Sequence, residues 1–453
     1  MRDIRERGSR ITEGVIWKQI LIFFFPLLLG TFFQQLYNTA DAVVVGKFVG
    51  KEALSAVGGT TGTLINLFVG FFVGVSTGAT VTISQYYGGK YKEEMGRAVH
   101  TAIAMAIFGG AAIMLIGMLG APAALRWMGT PEEIMSHSLV YIRIYFGGMI
   151  ANLVYNVGAG ILRAVGDSRR PLYFLITSCF INIVLDVVFV VVFHWGVMGV
   201  AVATIISQIC SAALVCMTLV RTQECYKLFI RKIRFHKGML IKIIQIGIPA
   251  GFQSLMYSSS NVIIQSNINS FGTDTIAAWT AYAKIDGVFW MTMNAFGIST
   301  TTFVGQNYGA GKSDRVKSGV RTVLKMSMSV AAVLSIVLYF GGGYVFRLFT
   351  SDIMVINKGL EILRFLVPTF ITYVSIEILS GALRGMGNSF VPMILTSLGV
   401  CALRVVWLFT VVPVWKNLKT VIISYPIAWM VTSILFILYY RYYTGKYQYR
   451  VKA

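Results

Sequence analysis

Residues 158–171 read GAGILRAVGDSRRP and residues 379–392 read LSGALRGMGNSFVP. The shift between them is about 221 residues, close to half the chain. At that shift Gly160, Leu162, Arg163, Gly166, Ser168 and Pro171 meet identical residues. The same shift lays Gln85, Tyr87 and Gly88 on Gln306, Tyr308 and Gly309, and Arg143 on Arg364. A shift of about 223 pairs Pro26 with Pro249. Several matches at one offset identify two diverged copies of one unit.

What each copy contains follows from hydropathy. The 453 residues have a mean hydropathy of +0.72, with 56% hydrophobic and only 13% charged residues. Soluble domains carry about 25% charged residues, so the solvent of this chain is lipid. Apolar runs of roughly 20 residues predict helices, whereas a barrel would show alternating segments of about 10. The fold class is therefore an all-α integral membrane protein, with about twelve spans in two six-helix lobes. They fall near 15–41, 53–84, 97–120, 136–160, 171–193, 196–220, 243–269, 275–305, 319–343, 358–382, 391–413 and 420–441. An even number per copy makes the repeat parallel, with its axis along the membrane normal.

The expected division is an N-lobe over 1–220, a linker over 221–242 and a C-lobe over 243–453. The linker, RTQECYKLFIRKIRFHKGMLIK, mixes Phe, Ile and Leu with Arg and Lys, which suits a segment lying on the cytoplasmic membrane surface. Basic residues crowd alternate loops: Arg2, Arg5, Arg7 and Arg10; Lys90, Lys92 and Arg97; Arg163, Arg169 and Arg170; the linker; Lys312–Lys325; and Arg441, Lys446, Arg450 and Lys452. The positive-inside rule then places both termini in the cytoplasm. The first span is too long for a signal peptide and is expected to stay uncleaved.

The net charge of +21 sits in short clusters between apolar runs, so nucleic acid is not an expected partner. The expected partners are the bilayer and small organic molecules, with the chain acting as a monomer. The cysteines (Cys179, Cys210, Cys216, Cys225, Cys401) and histidines (His100, His137, His194, His236) lack metal-ligand spacing, and no cofactor is expected. GVSTG at 74–78 matches a nucleophile elbow in letters only, since it lies within an apolar helix. Gly70, Gly74 and Gly78 instead offer a face for a closely packed helix. Enzymatic activity is not expected, and no phosphate-binding loop supports ATP-driven transport.

The first copy holds acids that the second lacks. Asn182 falls opposite Leu403, Asp186 opposite Trp407, and Asp41 opposite Val262 or Ile264. Carboxylates within a bilayer cost about 2.5–3.5 kcal/mol on insertion scales. They persist when protonated, paired or bound to a cation. Asn182 and Asp186, at i and i+4, project from one helix face, and Asp41 lies toward the outer end of the first span. Oxygens from both helices suit Na⁺ or an exchanged proton. The alternative is a headgroup position for Asp41 and a basic partner for Asp186.

At the level of motifs, QQLYNTADAVVVG, ISQYYGGK with its echo VGQNYGAGK, LRAVGDSRRP and INIVLD resemble the multidrug and toxic compound extrusion (MATE) transporters over essentially the whole chain. The resemblance implies two lobes around a V-shaped cavity and export of amphipathic, often cationic compounds in exchange for Na⁺ or H⁺. It also implies a bacterial-type inner membrane as the location. Asp41, Asn182, Asp186 and Thr204 match the family's N-lobe cation and proton site, with Asn156 as an addition. For Na⁺ coupling, Asp41 and Asp186 are the implied ion ligands. Glu377 resembles the C-lobe acid, with a structural arginine pair as the alternative. The seventh span lacks the glutamate that some branches carry, which favours coupling in the N-lobe.

Further cavity candidates are Gln34, Tyr37, Gln253, Tyr257, Lys284 and Asp286, with Trp279, Phe289, Trp290, Met291 and Met293 as aromatic and thioether wall. Lys284 and Asp286, at i and i+2, do not share a helix face. Arg143 and Arg364 share a repeat position and so a structural role, while Arg404 has no counterpart. The rival function is a lipid or lipid-linked oligosaccharide flippase, for which Arg143, Lys284, Arg364 and Arg404 would supply a basic cavity. A receptor or channel would move nothing uphill.

Overall fold

The computed structural model describes the backbone of residues 10–452 and the side chains of 11–446. Arg2, Arg5 and Arg7, and the side chains of Arg10, Arg450 and Lys452, lie outside the described residues. Regular structure among the described residues is helical throughout. In the first half the helices are α1 Ile16–Phe48, α2 Lys51–Gly58, α3 Thr60–Gly88, α4 Lys92–Trp127, α5 Glu132–Gly147, α6 Met149–Ala164, α7 Arg169–Asp186 and α8 Gly196–Arg221. The second half holds α9 Lys237–Asn269, α10 Thr273–Gly309, α11 Ser313–Arg347, α12 Ile353–Leu366, α13 Phe370–Gly385, α14 Phe390–Thr396, α15 Leu403–Thr410, α16 Leu418–Ile422 and α17 Ser424–Lys452.

Ten of the described helical segments are long and apolar enough to cross a bilayer. An eleventh crossing is α5 with α6, bent by 48° where Gly147 and Gly148 interrupt the helix. The eighth expected span is α10. Its 37 residues reach about 55 Å, but Asp274, Lys284 and Asp286 dilute its apolar character. The tenth span runs over Ile353–Gly385, with a 3₁₀ turn at Val367–Thr369 where Pro368 removes a backbone donor between α12 and α13.

Two compact units organise these helices: one over 22–251, the other over 11–21 together with 252–453. Close backbone packing holds the opening turns of α9 to the first unit. In the first unit α3 presents Gly74 and Gly78 to the opening turns of α9. A Cβ on Gly74 would meet the Gly251 nitrogen at 2.5 Å, and one on Gly78 the Gly247 nitrogen at 2.7 Å. Only glycine allows that approach, and Lys242 Nζ adds a 2.6 Å hydrogen bond to the Tyr86 hydroxyl. In the second unit the segment before α1 is held by α10 and α11. Lys312 Nζ donates to the Thr12 carbonyl at 2.8 Å, and Arg315 donates to the carbonyls of Gly14, Ile11 and Glu13.

The linker is mostly irregular, with one short 3₁₀ turn at Ile230–Lys232. It folds back on α4: the Phe229 amide donates to His100 Nε2 at 3.1 Å, and the His236 amide to Thr101 Oγ1 at 3.2 Å. The core of the first unit gathers apolar faces of α3 to α8, with Ile103, Leu125, Phe146, Ile161 and Val215 fully buried.

Candidate ion site in the first unit

Asp41 on α1, Asn182 and Asp186 on α7, and Thr204 on α8 converge. They retain 6%, 1%, 0% and 2% of their exposure, respectively. Thr204 Oγ1 stands 3.4 Å from Asp41 Oδ2, and the Asp186 and Asn182 side chains also adjoin the Asp41 carboxyl. The same hydroxyl donates toward Asp41 and to the Val200 carbonyl at 2.9 Å, so its proton is shared between the acid and α8.

Local sequence sets this geometry. Asn182 and Asp186 stand one turn apart on a continuous α7, and the helix loosens into a π-helical stretch at Val187–Val192 directly after Asp186. Such stretches frequently accompany functional positions. Small residues bring α8 close to α7, as where Ser178 Oγ donates to the Ser207 carbonyl at 2.9 Å.

What the site lacks is a counter-charge. Asp41 Oδ1, both Asp186 oxygens, and both polar atoms of Asn182 are buried without a hydrogen-bond partner. Among the described residues no Lys, Arg or His lies within salt-bridge distance of either acid. Partnerless buried polar atoms are rare, and clusters of them ask for an explanation. Two carboxylates, an amide oxygen and a hydroxyl make an all-oxygen donor set suited to a hard cation. Two facing carboxyls suit one shared proton equally well.

The other candidates lie elsewhere. Asn156 donates to the Asn152 carbonyl and side-chain oxygen at 2.9 and 3.0 Å, within its own helix. Tyr37 is near Asp41, together with Tyr145 and Cys179, whereas Gln34 is exposed one turn away. In the second unit Glu377 sits 3.6 Å from Arg384 Nη2 and accepts from the Tyr373 hydroxyl at 3.2 Å. Gln253 accepts from Arg384 at 3.3 Å and donates to Thr396 at 3.0 Å, and Tyr257 meets Tyr373 at 3.3 Å. Asp286 accepts a 2.6 Å bond from Trp290 Nε1, while Lys284 is exposed and has no ion pair among the described residues. Phe289, Met293 and Trp279 are packed rather than open, with Phe289 stacked on Phe370 at 4.1 Å. Arg404 is buried, donating to the Val400 carbonyl and lying over the Tyr425 ring at 4.8 Å.

Sequence reasoning offered Glu377 a structural pair with an arginine as one of two readings but missed which arginine, Arg384. The signal was present, since Glu377 and Arg384 are two helical turns apart on one apolar helix. It also missed Tyr145, which contacts Gln208 beside Asp41.

The MatE family model matches residues 26–188 and 249–410, one segment in each half. The chain belongs to the MatE family. MatE proteins are transporters, so the chain is a multi-pass membrane transporter and not an enzyme. A probable multidrug resistance protein, YoeA, of Bacillus subtilis (strain 168) is 27% identical over 436 residues, covering 94% of each chain. A probable multidrug resistance protein, NorM, of Thermotoga maritima is 24% identical over 411 residues, covering 88% of this chain and 86% of its own. A solved MATE structure in the bent conformation superposes with a TM-score of 0.92 at 22% identity, over 98% of this chain and 99% of that one. A MOP superfamily transporter from Pyrococcus furiosus gives 0.90 at 23% identity, over 97% and 98%. At such identity the structures establish the shared two-lobe, twelve-helix MATE fold.

Proposed function

We propose that this MatE protein is a cation-coupled exporter of amphipathic, cationic organic compounds, with its ion site at Asp41, Asn182, Asp186 and Thr204. The observation that carries the reading is the group of five buried, partnerless polar atoms on those acids and that amide. Without a proton or a cation, the two carboxylates repel across a medium of low dielectric. Binding Na⁺ or H⁺ there draws α1 toward α7 and α8. Releasing the ion lets α1 move away. Pro26 interrupts the hydrogen bonding of α1 midway between its start and the acid, giving that helix a place to bend.

Both termini face the cytoplasm in this reading, which puts Asp41 in the outer half of the bacterial inner membrane. The ion then enters from outside and discharges inward as the substrate leaves. Tyr37, beside Asp41, is the cavity candidate through which ion binding would reach substrate. Tyr257, Gln253 and Glu377 offer a polar wall in the second unit, with Asp286 and Lys284 further along α10. The protein acts as a monomer and uses no cofactor.

Uptake of a fluorescent organic cation into inverted vesicles, whose lumen corresponds to the cell exterior, tests this, with the Na⁺ gradient and the pH gradient imposed separately. The gradient that drives transport names the coupling ion. Undiminished coupled efflux by Asp41→Asn and Asp186→Asn would overturn the site. The flippase reading is not favoured: relatives across the chain's length bear multidrug resistance names, and Arg404, one of its four cations, is bonded internally.

A further inference from the structure

The second unit carries two joined grooves where α11 ends and α12 begins. One, of 480 Å³, is walled by Leu360, Phe365, Leu418 and Ile422 and carries Arg364 and Lys419. The other, also 480 Å³, has Arg347, Thr350 and Ser351 at its polar side. Asn357 and Leu360 line both. Three cations therefore face one carboxylate, Glu361, and that carboxylate is already bonded to Lys419 at 3.0 Å. Among the described residues Arg347 and Arg364 have no ion pair.

Their surroundings are apolar. Tyr344, Leu348 and Ile353, around the same helix ends, are 76%, 82% and 72% exposed, which fits contact with lipid. Arg364 stands eleven residues into α12, about 16 Å below its start. Helical side chains lean toward the N-terminus, so its guanidinium points back up toward Glu361 and Asn357. An arginine at that depth snorkels toward phosphate.

The repeat supplies an independent argument. Arg143 occupies the equivalent position in the first unit, and it too is exposed and without an ion pair among the described residues. Buried polar groups differ between the two copies, as Asp186 against Trp407 shows. A cation kept on the exposed face of both points to the one medium that both contact.

We propose that the grooves flanking α12 form a binding site for an anionic phospholipid, its phosphate held by Arg364 and Arg347 and its acyl chains along Leu360, Phe365 and Leu418. In the orientation proposed above, the lipid belongs to the outer leaflet. Lipid fits better than a soluble anion because the walls are apolar, and an anionic headgroup fits the surplus of positive charge.

Native mass spectrometry of the full-length protein, titrated with phosphatidylglycerol and phosphatidylcholine of matched acyl chains, tests the site. Phosphatidylglycerol binds in preference in the wild type. Arg364→Ala and Arg347→Ala each weaken it about fivefold, the contribution expected of one cation near a lipid surface. Arg364→Lys retains most of the affinity, which also separates loss of charge from misfolding. Arg321→Ala, at the opposite end of α11, removes the same charge without effect. Wild-type affinity in the Arg347→Ala/Arg364→Ala protein would overturn the site, as would equal binding of phosphatidylcholine. Displacement of the lipid by inorganic phosphate would overturn the choice of lipid over a free anion.

Discussion

The Glu377 carboxylate lies 3.6 Å from the Arg384 guanidinium, two turns along one face of α13. At the matching positions of the first unit stand Asn156, bonded to Asn152, and Arg163, which has no ion pair among the described residues. The Nε atoms of Arg163 and Arg384 are both buried without a partner, so the copies differ in the acid that Glu377 sets beside Arg384. The Glu377 side chain also fills the space a Cβ on Gly297 would need, so the ion pair is packed in place.

Glu377→Gln should leave Arg384 charged and largely enclosed, with the Gln253 oxygen at 3.3 Å but no acid beside it. Breaking one side of a fully buried pair costs about 3 kcal/mol; with 16% and 19% of these side chains exposed the loss should be smaller, and thermal unfolding in detergent should still move downward. Glu377→Met/Arg384→Met should recover most of that loss. A Glu377→Gln protein as stable as wild type would show that the pair does not hold α13.

Asp186→Asn should behave in the opposite sense. It removes a charge from a site with no basic partner, and relief at functional positions commonly raises stability by about 1 kcal/mol. Cation-driven efflux should fall at least tenfold while the unfolding temperature holds or rises. Lost efflux together with a large loss of stability would point to a folding role instead.

Glycine at the contact of α3 with α9 should be irreplaceable. A Cβ at Gly78 would meet the Gly247 nitrogen at 2.7 Å as well as the Ile243 carbonyl oxygen, and backbone cannot yield as a flexible side chain can. Gly78→Ala should destabilise by about 1–3 kcal/mol. Gly120→Ala, with nothing within 4 Å, should be neutral or slightly stabilising. Equal unfolding temperatures for the two variants would contradict the close approach.

The linker should loosen in acid. His100 donates from Nδ1 to the Gly96 carbonyl at 2.6 Å and accepts the Phe229 amide at Nε2. His236 accepts from Arg234 at Nε2 and faces Thr101 with Nδ1. Each accepting nitrogen requires a neutral ring. Burial, with Arg234 and Arg97 nearby, holds the His236 pKa below its ordinary 6.5. Its contribution is therefore complete above about pH 6.5 and is lost as pH falls from there toward the depressed value. The protection factor of the His236 amide, bonded to Thr101 Oγ1 and corrected for the slower intrinsic exchange in acid, should be high at neutral pH and fall in mild acid, and His236→Gln should blunt the change. Protection independent of pH would rule out the histidine clasp.

Much of the fold was legible because a bilayer reduces choice. Backbone polar groups must be satisfied within each span, so long apolar runs could only be helices, and α10 was readable by its position in the repeat despite its charges. The bend at Gly147–Gly148 and the 3₁₀ turn at Pro368 follow from residues visible in the sequence. Gly74 and Gly78 marked a close helix contact in the sequence, but their partner was not legible, because the start of α9 is far from them in the chain.

The candidate ion site divides the same way. Sequence alone determined that the first copy carries Asp41, Asn182 and Asp186 where the second carries apolar residues, because an internal repeat exposes any departure from shared packing. It determined, too, that Asn182 and Asp186 share a helix face, because 3.6 residues make a turn. Tertiary structure decided the partners: Thr204 reaches Asp41, Asn156 turns to Asn152, Glu377 takes Arg384, and Arg364 is left exposed with no ion pair among the described residues. A residue's type and helical face fix what it can bond to, but only the packing of separate helices fixes which partner comes within about 3 Å.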